Sequence, residues 1–202
     1  TNSSIGLIYA LKKILSKNIV LNIIYYIKKE LIKSESINLI ISGGNSPNIF
    51  LKSLSNKPFL KRINFYLTDE RFVKRKSRFS NYNNLKKILK FSKINSLINL
   101  QSKSLKSNFL KSLKKGRKII SVIGIGNDGH FASIFLKSKK IKELINIKEK
   151  PTITMVEKIG KPKVRRATVN LSTILLSKKI LLLINSKKKI KILTKSLKDD
   201  KY

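Results

Sequence analysis

Short apolar runs alternate with amphipathic segments along this chain, and that alternation limits the fold more than any other feature. Residues 37–41, 63–67 and 119–123 are mostly apolar, as expected of strands buried on both faces. Residues 19–32 carry apolar side chains at helical spacing with Lys and Glu between them. The order predicts a single domain over residues 1–202 with a three-layer, Rossmann-like α/β fold, a mostly parallel sheet with helices on both faces.

Further elements follow from the same spacing and from helix signals. The sequence predicts helix starts near Ser46 and His130, a helix capped by Asn81, helices over 105–113 and 188–197, and strands over 167–171 and 180–184. In open α/β sheets, ligands bind beyond the carboxyl ends of the strands. The segments that follow the three apolar runs are therefore the candidate site.

Rare residue types concentrate in these segments. The chain has one histidine, His130, and four aspartates, of which two, Asp199 and Asp200, lie in the terminal tail. The other two, Asp69 and Asp128, lie in two of the three segments. Five of the eight glycines also lie in these segments. A sequence rich in Lys, Ile and Asn thus keeps its unusual residues where chemistry would need them.

The first segment, residues 42–47, follows the first apolar run and contains Gly43 and Gly44. Paired glycines permit a tight turn and a close approach of backbone N–H groups to a ligand. A helix starting at Ser46 would favour a phosphate at its N-terminus. An ordinary strand-to-helix turn explains the same residues equally well.

The segment that follows residues 119–123 reads Gly-Ile-Gly-Asn-Asp-Gly-His and ends at His130. A histidine titrates near neutrality and is suited to act as a general base on water. Asp128 could orient the imidazole or cap the next helix. The alternative for His130 is a capping or core histidine.

The remaining segment contains Asp69, Glu70 and Arg71, with Asn81 shortly after. An arginine at a strand end offers a planar fork for phosphate or carboxylate. Alternatively, Glu70 and Arg71 form a surface ion pair of little consequence.

The formal charge of +36 suggests nucleic acid as a partner, but the distribution of the charge argues against it. The lysines are spread through every segment and arginine is scarce, which indicates a codon bias towards A and T. The absence of cysteine excludes disulfides and thiolate metal sites, and with one histidine we expect neither a metal nor a cofactor. No apolar stretch approaches the ~20 residues of a membrane span, so a cytoplasmic monomer or homodimer without membrane or specific nucleic-acid partners is expected.

Together the segments resemble the 6-phosphogluconolactonase family. The matching pieces are residues 41–47, 69–73 with 80–82, 124–135 and, more weakly, 166–170 followed by a strand and a helix bearing Lys189. The resemblance covers residues 20–198 and implies hydrolysis of 6-phosphoglucono-δ-lactone, a phosphorylated sugar lactone, in the oxidative pentose phosphate pathway. It implies that His130 is the general base and that Asp128 supports it. The substrate and its phosphate would contact Ser42, Gly43, Gly44, Ser46, Asp69, Arg71, Asn81, Arg166 and Lys189.

Related sugar-phosphate isomerases and deaminases share the fold and the loop around His130. Their second motif normally has Tyr where this chain has Arg71, which favours the lactonase. The chain also departs from the lactonase pattern, with Phe131 in place of a Thr and Leu136 in place of a Pro. An isomerase or deaminase on the same scaffold remains the alternative enzyme, and a basic nucleic-acid-binding protein remains the alternative from another class.

Overall fold

A five-stranded parallel sheet forms the centre of the fold in this computed structural model, which describes residues 17–74, 76–90, 94–95, 109–113, 118–184 and 186–198. Its strands are β1 (Ile37–Ile41), β2 (Ile63–Leu67), β4 (Ile94–Asn95), β5 (Lys118–Gly124) and β8 (Lys179–Leu183). They lie in the order β4-β2-β1-β5-β8, and every neighbouring pair is parallel. The predicted parallel sheet is therefore confirmed.

The central strands bury apolar side chains on both faces. On β1, Ile37, Leu39 and Ile41 pack into one core, whereas Ile40 packs into another on the opposite face. This period of two is the ordinary geometry of a strand, and it explains why these runs are almost continuously apolar.

Helices cover the first face of the parallel sheet, and helices together with a second, smaller sheet cover its other face. Apolar side chains of α1 (Lys17–Ile32), α2 (Asn48–Ser55) and α3 (Asn81–Leu89) complete the first core. The remaining helical segments are a 3-10 turn at Pro58–Arg62, residues 109–113, and the helices Ile141–Ile145, Leu171–Ile174 and Lys187–Lys198. The three-layer α/β class predicted from the sequence is confirmed.

A small antiparallel sheet was not predicted. It consists of β3 (Asp69–Arg71), β6 (Ile153–Ile159) and β7 (Val164–Val169), with β7 in the middle. The strand predicted over 167–171 is the end of β7 and stops at Val169. Ile153, Ala167 and Val169 pack in the second core against the parallel sheet.

Several predicted boundaries shift, and one predicted helix is wrong. The helix expected near Ser46 begins at Asn48, and the cap of α3 is Ser80 rather than Asn81, since the Ser80 side chain accepts a hydrogen bond from the backbone N–H of Asn83. No helix begins at His130; residues 127–140 form turns and isolated bridges, with positive φ at Gly129 and Ala132. Of the helix predicted over 105–113, residues 105–108 lie outside the described residues.

Among the described residues, no helix is both long enough and apolar enough to cross a membrane.

Glu70 fixes the junction between β3 and α3. Its buried carboxylate accepts hydrogen bonds from the backbone N–H groups of Arg71 (2.7 Å), Asn81 (2.8 Å) and Tyr82 (2.7 Å) and from the hydroxyl of Ser80 (3.1 Å). Burial raises the pKa of Glu70, although the three backbone donors oppose that shift. Glu70 is therefore buried and hydrogen-bonded at the start of α3, and it does not form the surface ion pair with Arg71 that the sequence offered as an alternative.

We expect Glu70→Gln to lower the free energy of unfolding by about 2 kcal/mol, because an amide cannot accept from four donors and hydrogen bonds to charged groups contribute about 1.5–3 kcal/mol. Urea unfolding followed by circular dichroism measures the change. The matched control is Glu149→Gln, since Glu149 is exposed and should be near neutral. Equal stability of the two variants would contradict the role given to Glu70.

At the opposite end of the sheet, Glu30 ties α1 to the strands. Its carboxylate lies 2.9 Å from the Lys118 ammonium and 3.3 Å from that of Lys178. The hydrogen bond from Lys118 holds the pKa of Glu30 below its ordinary value of 4.5, against the effect of burial and with help from Lys178. Because the pKa is lower in the folded state, this stabilisation is present above pH 4.5 and is lost as the pH falls through the folded-state value.

The stability difference between the wild type and Glu30→Gln should therefore be largest near neutrality and shrink as the pH falls below 4.5. Urea unfolding at a series of pH values tests this. Glu149→Gln again serves as the control for the general effect of removing one carboxylate. A difference independent of pH would exclude the proposed ion-pair contribution.

Candidate active site

Parallel pairing brings the three sequence segments to one edge of the central sheet. Ile41 pairs with Leu67 on one side and with Val122 on the other, so the three strands end side by side. The loops that follow are joined directly, because the backbone N–H of Gly124 donates to the Ser42 hydroxyl at 3.1 Å. The predicted meeting of these segments at the carboxyl ends of the strands is confirmed.

Asn81 connects the first segment to the second. Its amide lies so close to Gly43 that a Cβ at that position would overlap it. The same side chain donates to the Asp69 carbonyl at 2.8 Å and accepts from the Arg71 guanidinium at 2.6 Å. A glycine is therefore required at position 43, because the Asn81 amide occupies the space of a side chain. Asn81 also sets the distance between Arg71 and the turn that contains Gly43 and Gly44, called the glycine turn below.

Asp69 connects the second segment to the third. Its carboxylate is buried and accepts hydrogen bonds from the Ser133 hydroxyl at 2.6 Å and from the Asn81 amide at 3.3 Å. Asp69 is therefore committed to protein partners that hold the loops together. Ser133 was not singled out from the sequence, although it lies in the matching segment; its partner is 64 residues away, a pairing that only the fold establishes.

Lys189 brings a cation to the glycine turn from the last described helix. Its ammonium donates to the Ser46 hydroxyl at 3.0 Å, and burial lowers the pKa of Lys189. One helical turn further on, Ile192 packs against Gly129 in the third segment, which contains His130. The helix Lys187–Lys198 thus touches both the first and the third segment.

His130 and Asp128 form a hydrogen-bonded pair. The imidazole Nδ1 meets the Asp128 carboxylate, and the backbone N–H of His130 lies 3.4 Å from the same carboxylate oxygen. Partial burial favours a higher pKa for Asp128, but the hydrogen bond to His130 outweighs it and holds the pKa below 3.8. An ionised Asp128 can only accept, so Nδ1 carries the proton and the lone pair lies on Nε2.

Two neighbours flank the His130 ring. A Cβ on Gly126 would overlap the imidazole, so this glycine leaves the room that the ring occupies. The Phe135 ring stacks on the imidazole with centroids 4.1 Å apart and an angle of 29° between the planes. Sequence reasoning missed Phe135, because a stacked aromatic five residues away has no periodic signature.

Arg71 is held by two hydrogen bonds and has a buried donor with no hydrogen-bond partner among the described residues. Its guanidinium donates to Asn81 and, at 3.0 Å, to the Phe79 carbonyl. Its buried Nε–H has no hydrogen-bond partner among the described residues. A buried donor without an acceptor is costly.

Arg166, which the sequence predicts to bind phosphate, is buried and bonded to protein groups. The side chain is 2% exposed and donates to the carbonyls of Ile159 at 2.9 Å and Pro162 at 3.0 Å. Its guanidinium also lies 3.9 Å from the Asp69 carboxylate and over the Phe135 ring. Arg166 therefore stabilises the β6–β7 turn and contacts both Asp69 and Phe135.

Within the described residues, no group of three or more carboxylates and histidines could hold a metal ion. The chemistry open to these side chains is proton transfer at His130 and electrostatic stabilisation of anions by Lys189 and Arg71.

Comparison with known proteins agrees with this arrangement. The sequence model of the glucosamine-6-phosphate isomerases/6-phosphogluconolactonase family matches residues 11–202. A 6-phosphogluconolactonase from Thermotoga maritima is 31% identical over 180 residues, which cover 83% of this chain and 77% of the relative.

Solved structures extend the similarity to the fold. A crystal structure of 6-phosphogluconolactonase from Thermotoga maritima has a TM-score of 0.76 at 27% identity and covers 93% of this chain and 89% of its own. A 6-phosphogluconolactonase from Shewanella baltica has a TM-score of 0.77 at 22% identity, with coverage of 92% and 82%, and supports the fold alone. The chain belongs to the glucosamine-6-phosphate isomerase/6-phosphogluconolactonase family.

Proposed function

We propose that this chain hydrolyses 6-phospho-D-glucono-1,5-lactone to 6-phospho-D-gluconate, the lactonase step of the oxidative pentose phosphate pathway. The observation that carries the proposal is the Asp128–His130 pair, which leaves Nε2 of the only histidine as a base in a loop that is joined, through Gly124 and Ser42, to the segment that Lys189 contacts. The relative from Thermotoga maritima named as a 6-phosphogluconolactonase supports the choice of substrate.

In the proposed reaction, Nε2 of His130 takes a proton from water as the water oxygen attacks the lactone carbonyl. The tetrahedral oxyanion collapses, the bond from the carbonyl carbon to the ring oxygen breaks, and that oxygen leaves as a hydroxyl after receiving a proton from the imidazolium. The product is the open-chain carboxylic acid, which then releases its proton to solvent and becomes the carboxylate. Asp128 stabilises the imidazolium formed between the two steps.

The turn at Gly43 and Gly44 with Ser46 and Lys189 is the proposed phosphate site. A Cβ at Gly44 would meet nothing within 4 Å, so the backbone there is open to a ligand. The partly desolvated ammonium of Lys189 interacts strongly with a phosphate because little water screens it. Arg71, whose guanidinium Asn81 orients, is the proposed second cation, and Ser42, Asp69 and Asn81 hold the loops rather than the substrate.

An isomerase or deaminase acting on a sugar phosphate is the alternative within the family. Purified protein incubated separately with the lactone, with glucosamine 6-phosphate and with aldose and ketose phosphates separates the two. Loss of lactone no faster than its spontaneous hydrolysis would overturn the proposal.

His130→Ala should reduce kcat for lactone hydrolysis by about 10²-fold or more, the usual contribution of a general base. The initial rate above the spontaneous background measures the effect, and circular dichroism confirms folding. Asn127→Ala, at an exposed position in the same turn, is the control and should keep its activity. An unchanged rate in folded His130→Ala would exclude His130 as the base.

Lys189→Met should raise KM by about 10-fold or more while changing kcat much less, because a charge-assisted hydrogen bond to a phosphate contributes about 1.5–3 kcal/mol. Inhibition by inorganic phosphate should weaken in parallel. Lys191→Met, exposed on the same helix, is the matched control. If the two variants had the same KM, the phosphate would have to bind elsewhere.

A further inference from the structure

Asp128 is a weak anchor for the imidazole that it contacts. Its side chain is 63% exposed, whereas that of His130 is 28% exposed. It lies in a turn between Gly126 and Gly129, and the segment contributes no helix or strand that would hold the carboxylate. A hydrogen bond to an exposed acceptor selects a tautomer but does not by itself fix the plane of the ring.

Phe135 has the properties that Asp128 lacks. Its ring is 5% exposed and stacks on His130 at 4.1 Å between centroids. The Arg166 guanidinium lies 5.4 Å from the centroid of the Phe135 ring, and Gly160 abuts both side chains so closely that a Cβ there would lie 2.8 Å from each. The Phe135 ring is therefore held from the protein interior by groups that are themselves fixed.

Arg166 connects this support to the rest of the site. Its guanidinium is bound to two carbonyls of the β6–β7 turn and faces Asp69, which in turn accepts from Ser133, two residues before Phe135. The contacts form a continuous path from Asp69 through Arg166 and Phe135 to the imidazole. Each member of this path except His130 is buried.

We propose that Phe135 is the positioning residue of the site: its ring, held by Arg166, confines the His130 imidazole against Gly126 and aims Nε2 at the bound substrate. Asp128 then sets the tautomer, and Phe135 sets the orientation. This role rests on the proposed function of His130 as the general base. Because catalysis is sensitive to misplacement of a base by about 1 Å, with losses of up to about 10²-fold, a loosened ring reduces turnover more than it reduces binding.

The single histidine makes the proposal directly measurable. Protein labelled with ¹³C at Cε1 of histidine gives one imidazole signal, from His130. Nuclei above an aromatic face are shielded, so this proton signal should lie upfield in the folded wild type and move to the free-histidine position in urea. A folded wild-type signal already at the free-histidine position would overturn the stack without any variant.

Phe135→Leu removes the flat face but keeps an apolar side chain, and Phe135→Met provides a second variant should the first not fold. In either, the His130 signal should lose its upfield shift, and kcat should fall by about 10-fold or more with KM within about twofold. Phe131→Leu is the matched control, since Phe131 lies in the same loop, is half-buried and packs against the second core. It should keep the upfield signal.

The two kinds of failure are distinguishable. A wild type inactive on the lactone would overturn the proposed function, while the spectrum would still decide whether Phe135 orients the ring. An active wild type whose Phe135→Leu variant loses the upfield shift but keeps kcat would overturn the positioning role. An equal fall in kcat for Phe131→Leu, with its signal unmoved, would also overturn it, because the loss would then follow from general loosening of the loop.

Discussion

The parallel pairing of β1 with both β2 and β5 is the constraint on which the site depends. Three strands that run in the same direction and end in register must place their following loops side by side, whatever those loops contain. The sheet holds this geometry because its strands are buried on both faces between two apolar cores. The loops then need only short polar contacts to become a site.

Those contacts are supplied by a few buried polar side chains that bond across the loops. Asn81 reaches Gly43 and Arg71, and Asp69 reaches Ser133. Glu70 fixes the start of α3 and so the position of Asn81 itself. Removing one partner of such a network leaves others buried and unpaired, so each of these side chains depends on the others.

The parts of the fold that the sequence predicts are those governed by local periodicity. The strands at 37–41 and 63–67 coincide with β1 and β2, because an apolar run bounded by polar turns has few other solutions. The failed helix at His130 shows the limit of that reasoning. Phe131, Ile134 and Phe135 have helical spacing, but positive φ at Gly129 and Ala132 bends the chain into turns, and Phe135 is used to support the imidazole. Arg166 illustrates a second limit, because a motif match does not reveal that this cation is buried against Asp69.

The net charge of +36 and the two cations of the proposed site attract anions over different distances. Exposed lysines attract any anion, but their effect is screened within about 10 Å at ordinary ionic strength and carries no geometry. Lys189 differs because it is buried and directed at Ser46, and Arg71 differs because Asn81 holds its guanidinium. In the proposed site, recognition depends on cations whose positions are fixed by neutral or acidic partners, so lysines elsewhere on the surface would not alter specificity. The acidic residues of this basic chain are accordingly most important where they orient other groups: Asp128 for His130, Asp69 for the loops and Glu70 for α3.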